Sequence, residues 1–429
     1  MIEISTRSVR NVTVSVPGSK SYTHRALIVS ALSNGTSTIV NGLDSEDTRL
    51  TRDALKQMGA VIRQEASGWS IDGMNGRLKP CAEEIFLGNS GTSMRLLAAI
   101  CVLGKGSYVL TGSPRMQERP IRDLLDGLEQ LGVRTRSLNR PGCPPIEITA
   151  GAVSGRRLSL NCGLSSQYLS AVLLMAPCTS GGLEISITEG PVSKPYIDMT
   201  IAVMAQAGVA VERREYEWFR VPGNQRYQAG RFVVEPDISQ AGYFWAAAAL
   251  TGATITVRGV TDTSRQGDIR LLDVLSEMGC SVRTTADGIS VTGGDLRAVE
   301  VDMSAMPDMA PTLAVVAAFA HGKTLITNVG HLKAKEIDRL EVVVAELRRL
   351  GVDAGCSDTA MWITGGVPHG GLIDPHNDHR IAMSFAVAGL KTPGVRIQDE
   401  TCVNKSFPEF WKVFDSLYRN HYTGSTSKP

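Results

Sequence analysis

Cationic and hydroxyl residues recur where predicted helices begin, which is where a helix can bind an anion. In the run P-G-S-K-S-x-x-x-R, Lys20 stands at the start of a helix, with Ser21 and Arg25 on one face. Free backbone N–H groups and the helix dipole favour negative charge there, so the run suits a phosphate or a carboxylate. A nucleotide P-loop does not fit, because no glycine lies four residues before Gly18. A solvated helix start remains the alternative.

Two further runs share this character. In L-G-N-S-G-T-S-M-R, glycines on both sides of Asn89 let the backbone approach a ligand closely, and Arg95 follows one helical turn later. An N-cap with Arg95 in a structural ion pair is the alternative. In P-R-M-Q-E-R-P, we expect Pro120 at the first position of an amphipathic helix. Arg119 then binds an anion, or the two arginines of the run, Arg115 and Arg119, form a surface salt bridge with Glu118 between them.

Uncharged donors open the third predicted helix at Ser165, Ser166 and Gln167, and another helix begins near Ser193. Such groups can orient hydroxyl groups or a phosphate, although the first three also resemble a variant of the capping box. Asp308 begins the fifth buried helix, where the dipole keeps a carboxylate ionised, either as a cap or as a general base.

The run K-E-x-x-R predicts Lys335 and Arg339 on one helical face, with Glu336 beside them. Among these cations Glu336 stays ionised unless a polyanionic ligand offsets them and raises its pKa toward that of a proton donor. In N-D-H-R, Arg380 is a candidate clamp for an anion. His376 and His379 lack a third ligand at a usual spacing, so no metal site is predicted.

Seven cations therefore belong to one predicted anion site. The chain has a net charge of +1, so such a collection indicates a multiply charged anionic ligand rather than a general affinity for nucleic acid or membranes. We expect these cations at or beside helix starts: Lys20, Arg25, Arg119, Lys335, Arg339, Arg380 and Lys405.

One kind of helix must position these residues, because it recurs six times at a spacing of 69 to 74 residues. Each copy opens with a polar turn and is then apolar and Ala-rich on every face, which predicts burial. The copies begin near Ser21, Gly91, Ser165, Ser239, Asp308 and Asp378.

An amphipathic segment follows each buried helix and, in the first five copies, ends in glycine, while β-branched runs lie between the helices. Each unit of about 70 residues is thus predicted to be β-α-β-α-β-β. Six units group most simply as three plus three, in two domains that meet at a cleft, with a hinge near Phe232–Asp237.

Composition sets the outer bounds. Apolar residues make up 43% and charged residues 20% of the 429 residues, as in ordinary soluble proteins. Eight cysteines without C-x-x-C spacing indicate free thiols in a reducing compartment, so we expect a cytoplasmic protein. No apolar run reaches the length of a membrane span.

In their order, the motifs from Val14 to about Phe414 resemble the 5-enolpyruvylshikimate-3-phosphate synthase family. They are P-G-S-K-S-x-x-x-R-A, L-G-N-S-G-T-x-x-R, P-R-M-x-E-R-P-I, S-S-Q, S-K-P-Y-I-D, P-D, K-E-x-D-R, N-D-H-R and the late K-x-F-P. The resemblance implies a two-domain inside-out α/β barrel with three units per domain. It implies domains of residues 19–235 and of residues 1–18 plus 236–424, with 425–429 as a loose tail.

The resemblance also implies an activity. The enolpyruvyl group of phosphoenolpyruvate is transferred to the 5-hydroxyl of shikimate 3-phosphate, with release of phosphate and without a cofactor. Asp308 would accept the hydroxyl proton and Glu336 would protonate the methylene carbon, with Lys20, His379 and Lys405 as further catalytic residues.

The substrate sites follow from the same resemblance. Shikimate 3-phosphate would contact Lys20, Ser21, Arg25, Ser165, Ser166, Gln167, Ser193, Asp308, His331 and Lys335. Phosphoenolpyruvate would contact Lys20, Asn89, Gly91, Arg119, Gln167, Arg339, Arg380 and Lys405. We expect a monomer that binds neither nucleic acid nor membrane.

Two positions depart from the family pattern. His331 stands where many members have Asn, and Leu96 stands where the enteric and plant type has Pro. Because inhibition by glyphosate is sensitive to that Pro, we expect glyphosate to bind here more weakly than to a Pro-bearing relative.

Two other functions compete with this activity. UDP-N-acetylglucosamine enolpyruvyl transferase, the sister fold, carries a reactive Cys in its loop, whereas Gly112–Met116 has none. A non-catalytic protein that binds phosphorylated metabolites would have no need of Asp308 and Glu336, and both are present.

Overall fold

The computed structural model describes residues 1–151 and 153–418, so the predicted tail at 425–429 lies outside the described residues. Twelve α-helices occur in this part of the chain. They are α1 (Lys20–Leu32), α2 (Glu46–Gln57), α3 (Gly91–Cys101), α4 (Arg122–Glu129), α5 (Gln167–Met175), α6 (Pro195–Gln206), α7 (Ile238–Thr251), α8 (Leu271–Glu277), α9 (Ala310–Ala317), α10 (Arg339–Arg349), α11 (His379–Gly389) and α12 (Phe410–Asp415).

The strands are short, as the β-branched runs predict. They are β1 (Ile2–Glu3), β2 (Val12–Val14), β3 (Thr36–Val40), β4 (Val61–Glu65), β5 (Gly68–Asp72), β6 (Ile85–Phe86), β7 (Gly106–Thr111), β8 (Arg134–Ser137), β9 (Ile146–Ala150), β10 (Arg157–Asn161), β11 (Gly182–Glu189), β12 (Glu212–Arg214), β13 (Trp218–Pro222), β14 (Arg231–Val233), β15 (Thr254–Arg258), β16 (Ser281–Thr285), β17 (Gly288–Thr292), β18 (Glu300–Asp302), β19 (Lys323–Thr327), β20 (Asp353–Cys356), β21 (Met361–Thr364), β22 (Leu372–Ile373) and β23 (Arg396–Ile397).

Within the described residues these strands form six sheets, five of four strands and one of three. The order β6-β7-β9-β8 is typical: one parallel pair, β6 with β7, is followed by two antiparallel pairs. A parallel pair needs a helical crossover and an antiparallel pair needs only a turn, so each sheet reflects one β-α-β-α-β-β unit. The predicted sixfold repeat and fold class are confirmed.

The buried helices form two groups, and each group has its own hydrophobic core. One core contains residues between 26 and 234, and the other contains residues 4–16 together with residues between 238 and 417. In the first, α3 packs against α5; in the second, α7, α9 and α11 pack against one another. The Ala-rich sequences allow close packing of these helices, as burial from Ile238 to Leu250 on every face of α7 illustrates. The domain bounds given above remain predictions.

The chain passes between the two cores twice, and the two crossings lie side by side. The Ser19 N–H donates to the Glu235 carbonyl at 2.8 Å, and the Asp237 N–H donates to the Pro17 carbonyl at 2.9 Å. Gly18 is required here, because a Cβ atom at this position would lie 1.8 Å from the Asn41 carbonyl oxygen. The crossings are therefore one paired connection rather than two independent linkers.

Three predicted local structures are wrong. Pro120 does not begin a helix, because α4 starts at Arg122. Lys335 and Arg339 do not share a helix: Lys335 follows a 3₁₀ turn at Gly330–Ala334, whereas Arg339 is the first residue of α10.

Lys405 ends a 3₁₀ turn, Thr401–Lys405, instead of starting a helix. Short turns that precede the α-helices displace these residues, and helix periodicity does not detect such turns. No helix in the described part of the chain is both long and apolar enough to cross a membrane.

Candidate active site

A cleft of about 760 Å³ lies between the two cores and is lined by the starts of the helices. We call its two sides the N-terminal wall and the C-terminal wall. The N-terminal wall comprises Lys20, Ser21, Asp47, Gly91, Thr92, Arg95, Arg119, Leu164, Ser165, Ser166, Gln167, Val192, Ser193 and Tyr196. The C-terminal wall comprises Asp308, His331, Ala334, Lys335, Glu336, Arg339 and Arg380.

The arginines of the N-terminal wall bind neutral acceptors. Arg119 donates through Nη1 to the backbone and side-chain oxygens of Asn89, at 3.0 and 3.1 Å. Arg95 donates to Oε1 of Gln167 at 2.8 Å and to the Pro120 carbonyl at 3.1 Å. Burial lowers the pKa of Arg119 to about 10, so it remains a cation at neutral pH. Among the described residues Arg95 forms no ion pair, and the predicted surface salt bridge with Glu118 is formed by Arg115, at 2.9 Å, rather than by Arg119.

The helix starts of this wall hold polar groups in fixed orientations. Ser90 caps α3 by accepting the Ser93 N–H, which leaves the Gly91 and Thr92 end of the helix at the cleft. Gln167 accepts from Arg95, so its amide nitrogen is turned toward Thr92 Oγ1 and donates to it at 3.1 Å. A ligand therefore meets oriented donors rather than mobile side chains.

Asp47 is a cleft residue that the sequence did not reveal. It is buried on the N-terminal wall, where Oδ2 lies 3.0 Å from the ammonium of Lys20 and Oδ1 lies 3.3 Å from that of Lys405. Burial alone would raise its pKa, but the two lysines outweigh this and hold it below the usual value. Asp47 belongs to an acidic run that predicts a solvated helix start, so no sequence signal separated it from its neighbours.

Lys405 joins the two walls from the C-terminal core. Its ammonium donates to the Asn89 carbonyl at 2.8 Å and lies 4.0 Å from Oε1 of Glu336. Arg115 makes a second link: it donates to the Glu336 carbonyl at 2.9 Å and to the Lys335 carbonyl at 3.3 Å. The two sides of the cleft are therefore in direct contact around Glu336.

Asp308 is the centre of the C-terminal wall. Its Oδ1 lies 3.0 Å from Arg339 and 3.9 Å from Lys335, while Oδ2 accepts from Arg380 at 2.7 Å and from the Tyr196 hydroxyl at 3.2 Å. Burial favours the protonated form, but Arg380, Lys335 and Arg339 together hold the pKa of Asp308 well below its usual range. It is an ionised carboxylate in the free protein.

Arg339 connects three carboxylates and is only 1% exposed. It donates to Asp308 at 3.0 Å, to Glu336 at 2.8 Å, and to both oxygens of Asp378. Asp378 also caps α11 by accepting the Arg380 N–H at 2.8 Å. Against the effect of burial, Arg339 and Arg119 hold the pKa of Glu336 well below its usual range.

The geometry can support acid and base chemistry. Asp308 lies in a 3₁₀ turn before α9, and Glu336 lies in the loop before α10, so the two carboxylates reach the cleft from the starts of two different helices of one unit. Arg339 spans them, and an anion that drew Arg339 away would release both. Two carboxylates with tunable pKa values can then take and give protons at separate atoms of a bound ligand.

Four predicted site residues, Arg25, Asn89, His379 and Lys405, do not line the cleft. Asn89 and Lys405 adjoin it through the contacts described above. Arg25 is buried, and its guanidinium donates to Thr200 at 2.7 Å, to the Ser21 carbonyl at 2.9 Å and to the Tyr196 carbonyl at 3.0 Å. These bonds occupy Arg25 within the protein and fix the positions of Ser21 and Tyr196.

The predicted histidines differ from each other. His331 lines the cleft, and its Nε2 is buried without a hydrogen-bond partner in the described residues. Burial and then Lys335 lower its pKa to about 4, so it is neutral. His379 is fully buried behind the cleft. Neither ring nitrogen has a hydrogen-bond partner among the described residues, although Nδ1 lies 3.8 Å from Oδ1 of Asp378, and burial holds its pKa well below the usual value. No group of three or more potential metal ligands occurs in the described part of the chain.

Comparison with known proteins assigns this arrangement to one family. The family model for EPSP synthase (3-phosphoshikimate 1-carboxyvinyltransferase) matches residues 5–414. A 3-phosphoshikimate 1-carboxyvinyltransferase of Syntrophobacter fumaroxidans is 45% identical over 408 residues, which cover 94% of this chain and 96% of the relative. One of Shewanella baltica is 42% identical over 409 residues, again covering 94% and 96%.

A solved structure agrees with the sequence relatives. An EPSP synthase from Acinetobacter baumannii superposes with a TM-score of 0.80 at 29% identity, covering 97% of each chain.

Proposed function

The chain belongs to the EPSP synthase (3-phosphoshikimate 1-carboxyvinyltransferase) family, and we propose that its cleft binds shikimate 3-phosphate and phosphoenolpyruvate together. Its reaction is transfer of the carboxyvinyl group to the 5-hydroxyl of shikimate 3-phosphate, a step of the shikimate pathway. One observation carries the proposal of the site: cations from both walls surround two carboxylates that come from the starts of two different helices. The two substrates carry roughly five to six negative charges, which these cations and helix starts can offset.

Shikimate 3-phosphate would occupy the side of the cleft rich in hydroxyl groups. Ser165, Ser166, Gln167 and Ser193 lie there, and Lys20 and Ser21 stand at the start of α1. Across the cleft, Asp308, His331 and Lys335 would face the sugar-like ring. The contacts of Arg25 favour a supporting role through Ser21 and Tyr196 rather than a direct contact with the ligand.

Phosphoenolpyruvate would lie between the arginines of both walls. Arg119, Arg339 and Arg380 line the cleft, and Asn89, Gly91 and Lys405 adjoin Arg119 and Glu336. Guanidinium groups suit this ligand because they can hold a carboxylate or a phosphate through two parallel hydrogen bonds. Arg339 and Arg380 would have to exchange part of their contact with Asp308 for the ligand.

The chemistry follows from that exchange. Anions bound to the arginines offset the positive potential around Asp308 and Glu336, which raises their pKa values toward neutrality. Asp308 then accepts the 5-hydroxyl proton while that oxygen bonds to C2 of phosphoenolpyruvate, and Glu336 protonates the methylene carbon. In the elimination from the tetrahedral intermediate, the Glu336 carboxylate takes a proton back from this new methyl group, the C–H electrons form the C=C bond, and the C–O bond to phosphate breaks with release of inorganic phosphate. Lys20, Lys405 and His379 would shape the potential around these steps.

Three finer properties are part of the same proposal. All eight cysteines are free, which suits the reducing cytoplasm, and we expect a monomer there. Leu96, fully buried in α3, lies one residue after Arg95. We propose that it shapes the helix behind the glycine loop so that glyphosate inhibits weakly.

The deciding experiment is release of phosphate from phosphoenolpyruvate by the purified chain. We expect release only when shikimate 3-phosphate is added. Release with UDP-N-acetylglucosamine instead would overturn the assignment in favour of the sister activity. Binding of both substrates without release would favour the non-catalytic binding protein.

A further inference from the structure

A small side cavity lies behind the cleft, next to the candidate base. Its walls include Tyr196, Asp237, Ser239, Asp268 and Arg380. Tyr196 and Arg380 also line the main cleft, so both residues lie between the two spaces. The function proposed above uses neither Asp237 nor Asp268, although both are buried carboxylates beside the reaction centre.

The two carboxylates of the side cavity differ in how they are satisfied. Asp237 accepts N–H groups on both oxygens, from Lys20 at 2.8 Å and from Gln240 at 3.1 Å, so it caps two helix starts. Asp268 is 3% exposed and accepts a hydrogen bond on Oδ2 from the Ser239 hydroxyl. Its Oδ1 is buried with no partner among the described residues. A buried oxygen without a hydrogen bond destabilises the folded protein, and its presence beside a reaction centre points to a functional role.

Tyr196 connects the side cavity, where Oδ1 of Asp268 lies, to the candidate base Asp308. Its hydroxyl donates to Oδ2 of Asp308 at 3.2 Å, and its side chain also lines the cavity that holds Asp268. Arg380, whose Nη2 lies 2.7 Å from Asp308, lines the same cavity. A proton on Asp308 therefore has a hydroxyl group beside it that leads away from the substrates.

Asp308 needs such an outlet because the anions that raise its pKa leave with the products, and its cationic neighbours then disfavour a bound proton again. In the free protein, Arg380, Lys335 and Arg339 outweigh burial and keep its pKa low. In contrast, burial and then the negative charge of Asp308 raise the pKa of Asp268 to about 7, against the opposing effects of Arg380 and the Ser239 hydroxyl. A proton shared between the two carboxylates consequently resides on Asp268. Asp237, Tyr196 and Lys20 are the other titratable groups at this cavity.

We propose that Asp268 is a positioning residue for the proton: it receives, through Tyr196, the proton that Asp308 takes from the 5-hydroxyl group. The inference rests on the proposed function. Asp268 does not touch the substrates and acts only through Asp308.

The transfer balances without an oxidant or a cofactor. Asp308, once protonated, gives its proton to the Tyr196 oxygen as Tyr196 gives its own proton to a water molecule in the side cavity. That water passes a proton to Oδ1 of Asp268. Asp308 returns to the carboxylate form, Tyr196 is unchanged, and Asp268 becomes the neutral acid. It releases the proton to solvent when the products leave.

The first test is Asp268→Asn, which keeps the shape of the side chain but cannot accept a proton. We expect kcat to fall by about tenfold or more, with the KM for shikimate 3-phosphate changed by less than about threefold, because the substrate contacts remain. In the wild type, kcat should rise with pH through the region near 7, where Asp268 ionises. In the variant this rise should disappear. Asp273→Asn, an exposed position on α8, is the matched control and should behave as wild type.

A second pair of variants keeps the test decisive if Asp268→Asn is poorly folded. Ser239→Ala removes a hydrogen bond that lowers the pKa of Asp268, so the rise in kcat should move to higher pH while the plateau above it is unchanged. Tyr196→Phe should abolish the rise. A merely structural role for Asp268 would not move the profile.

Wild-type activity together with an unaltered pH profile in Ser239→Ala and Tyr196→Phe would overturn the inference and leave the proposed function intact. Absence of wild-type phosphate release in the presence of shikimate 3-phosphate would instead overturn the proposed function.

Discussion

The N-terminal wall and the C-terminal wall both present buried arginines to the cleft, but the hydrogen-bond acceptors of these arginines differ between the walls. Arg95 and Arg119 donate to amide and carbonyl oxygens, so their charge is not compensated by a bonded carboxylate. Arg339 donates to three carboxylates, and Arg380 donates to one of these three. The first wall is ready for an anion, whereas the second is a closed network that an anion must open. The difference implies that binding energy is spent on the C-terminal wall, where it prepares the acid and the base.

Removal of Asp308 should have the largest effect on this comparison. Asp308→Ala loses the candidate base and leaves Arg380 and Arg339 without their shared partner. We expect kcat to fall by about 10³-fold, while shikimate 3-phosphate still binds to the intact N-terminal wall. Single-turnover phosphate release and calorimetric titration would measure the two properties. Full turnover with intact binding would show that Asp308 is not the base.

The two arginine environments predict different costs in stability. Arg339→Met leaves Asp378 and Glu336 buried without their partner, so we expect the free energy of unfolding to fall by about 3–5 kcal/mol. Arg119→Met, the matched change on the N-terminal wall, leaves only neutral oxygens without a hydrogen-bonded partner and removes a cation that Glu336 does not contact directly, so it should cost about 1–2 kcal/mol. Urea denaturation of both variants measures the difference. Equal losses would mean that the walls do not differ in charge compensation.

The buried titratable groups of the C-terminal wall should also make the stability of the protein depend on pH, with a smaller effect than the loss of Arg339. The pKa of His331 is about 4 in the folded protein, below the value of about 6.5 for an unfolded chain. As pH falls below about 6.5, the unfolded chain takes up a proton that the folded protein refuses, so stability decreases.

Asp308 and Glu336, whose pKa values are lowered, contribute stability above about pH 4 that is lost on further acidification. Because Asn does not titrate, His331→Asn should reduce the decrease in the free energy of unfolding between pH 6 and pH 5 by about 1 kcal/mol. His321→Asn, which alters an exposed side chain, serves as its control and should leave the slope unchanged.

The smallest expected effect concerns the shape of the N-terminal wall. Leu96 packs behind the helix start that presents Gly91 and Thr92, without reaching the cleft itself. Leu96→Pro removes a helical N–H and shifts that start, so glyphosate should inhibit severalfold more strongly at matched phosphoenolpyruvate. Leu96→Ala keeps the N–H group and is the control. Inhibition of the unaltered chain as strong as that of a Pro-bearing relative would contradict the proposal.

The fold and most of the residues that line the cleft could be predicted from the sequence, because the repeat places each motif at the same structural position. The start of each buried helix carries its own polar residues, so Gln167, Asp308 and Arg380 could be assigned to one region before any contact was known.

The sequence did not predict contacts between distant parts of the chain. Arg25 binds Thr200, which is 175 residues away, and no local pattern indicates that its donors are already occupied. Asp47 similarly becomes a site residue through its contacts with Lys20 and Lys405, which are distant from it in the sequence. Turns that are not helical, such as the one before Lys335, also leave no periodic signal.

The paired crossings have a consequence for how the protein is made. Strands β1 and β2 belong to the sheets of the C-terminal core: Val14 pairs with Val257, and Ile2 pairs with Ile397. On the ribosome, β1 and β2 therefore emerge before their partner strands, and β1 must wait until residue 397 has been made, while residues 26–234 can collapse around their own core. The half of the molecule that carries Asp308 and Glu336 is completed last, so a truncated nascent chain can hold the N-terminal wall without any catalytic carboxylate.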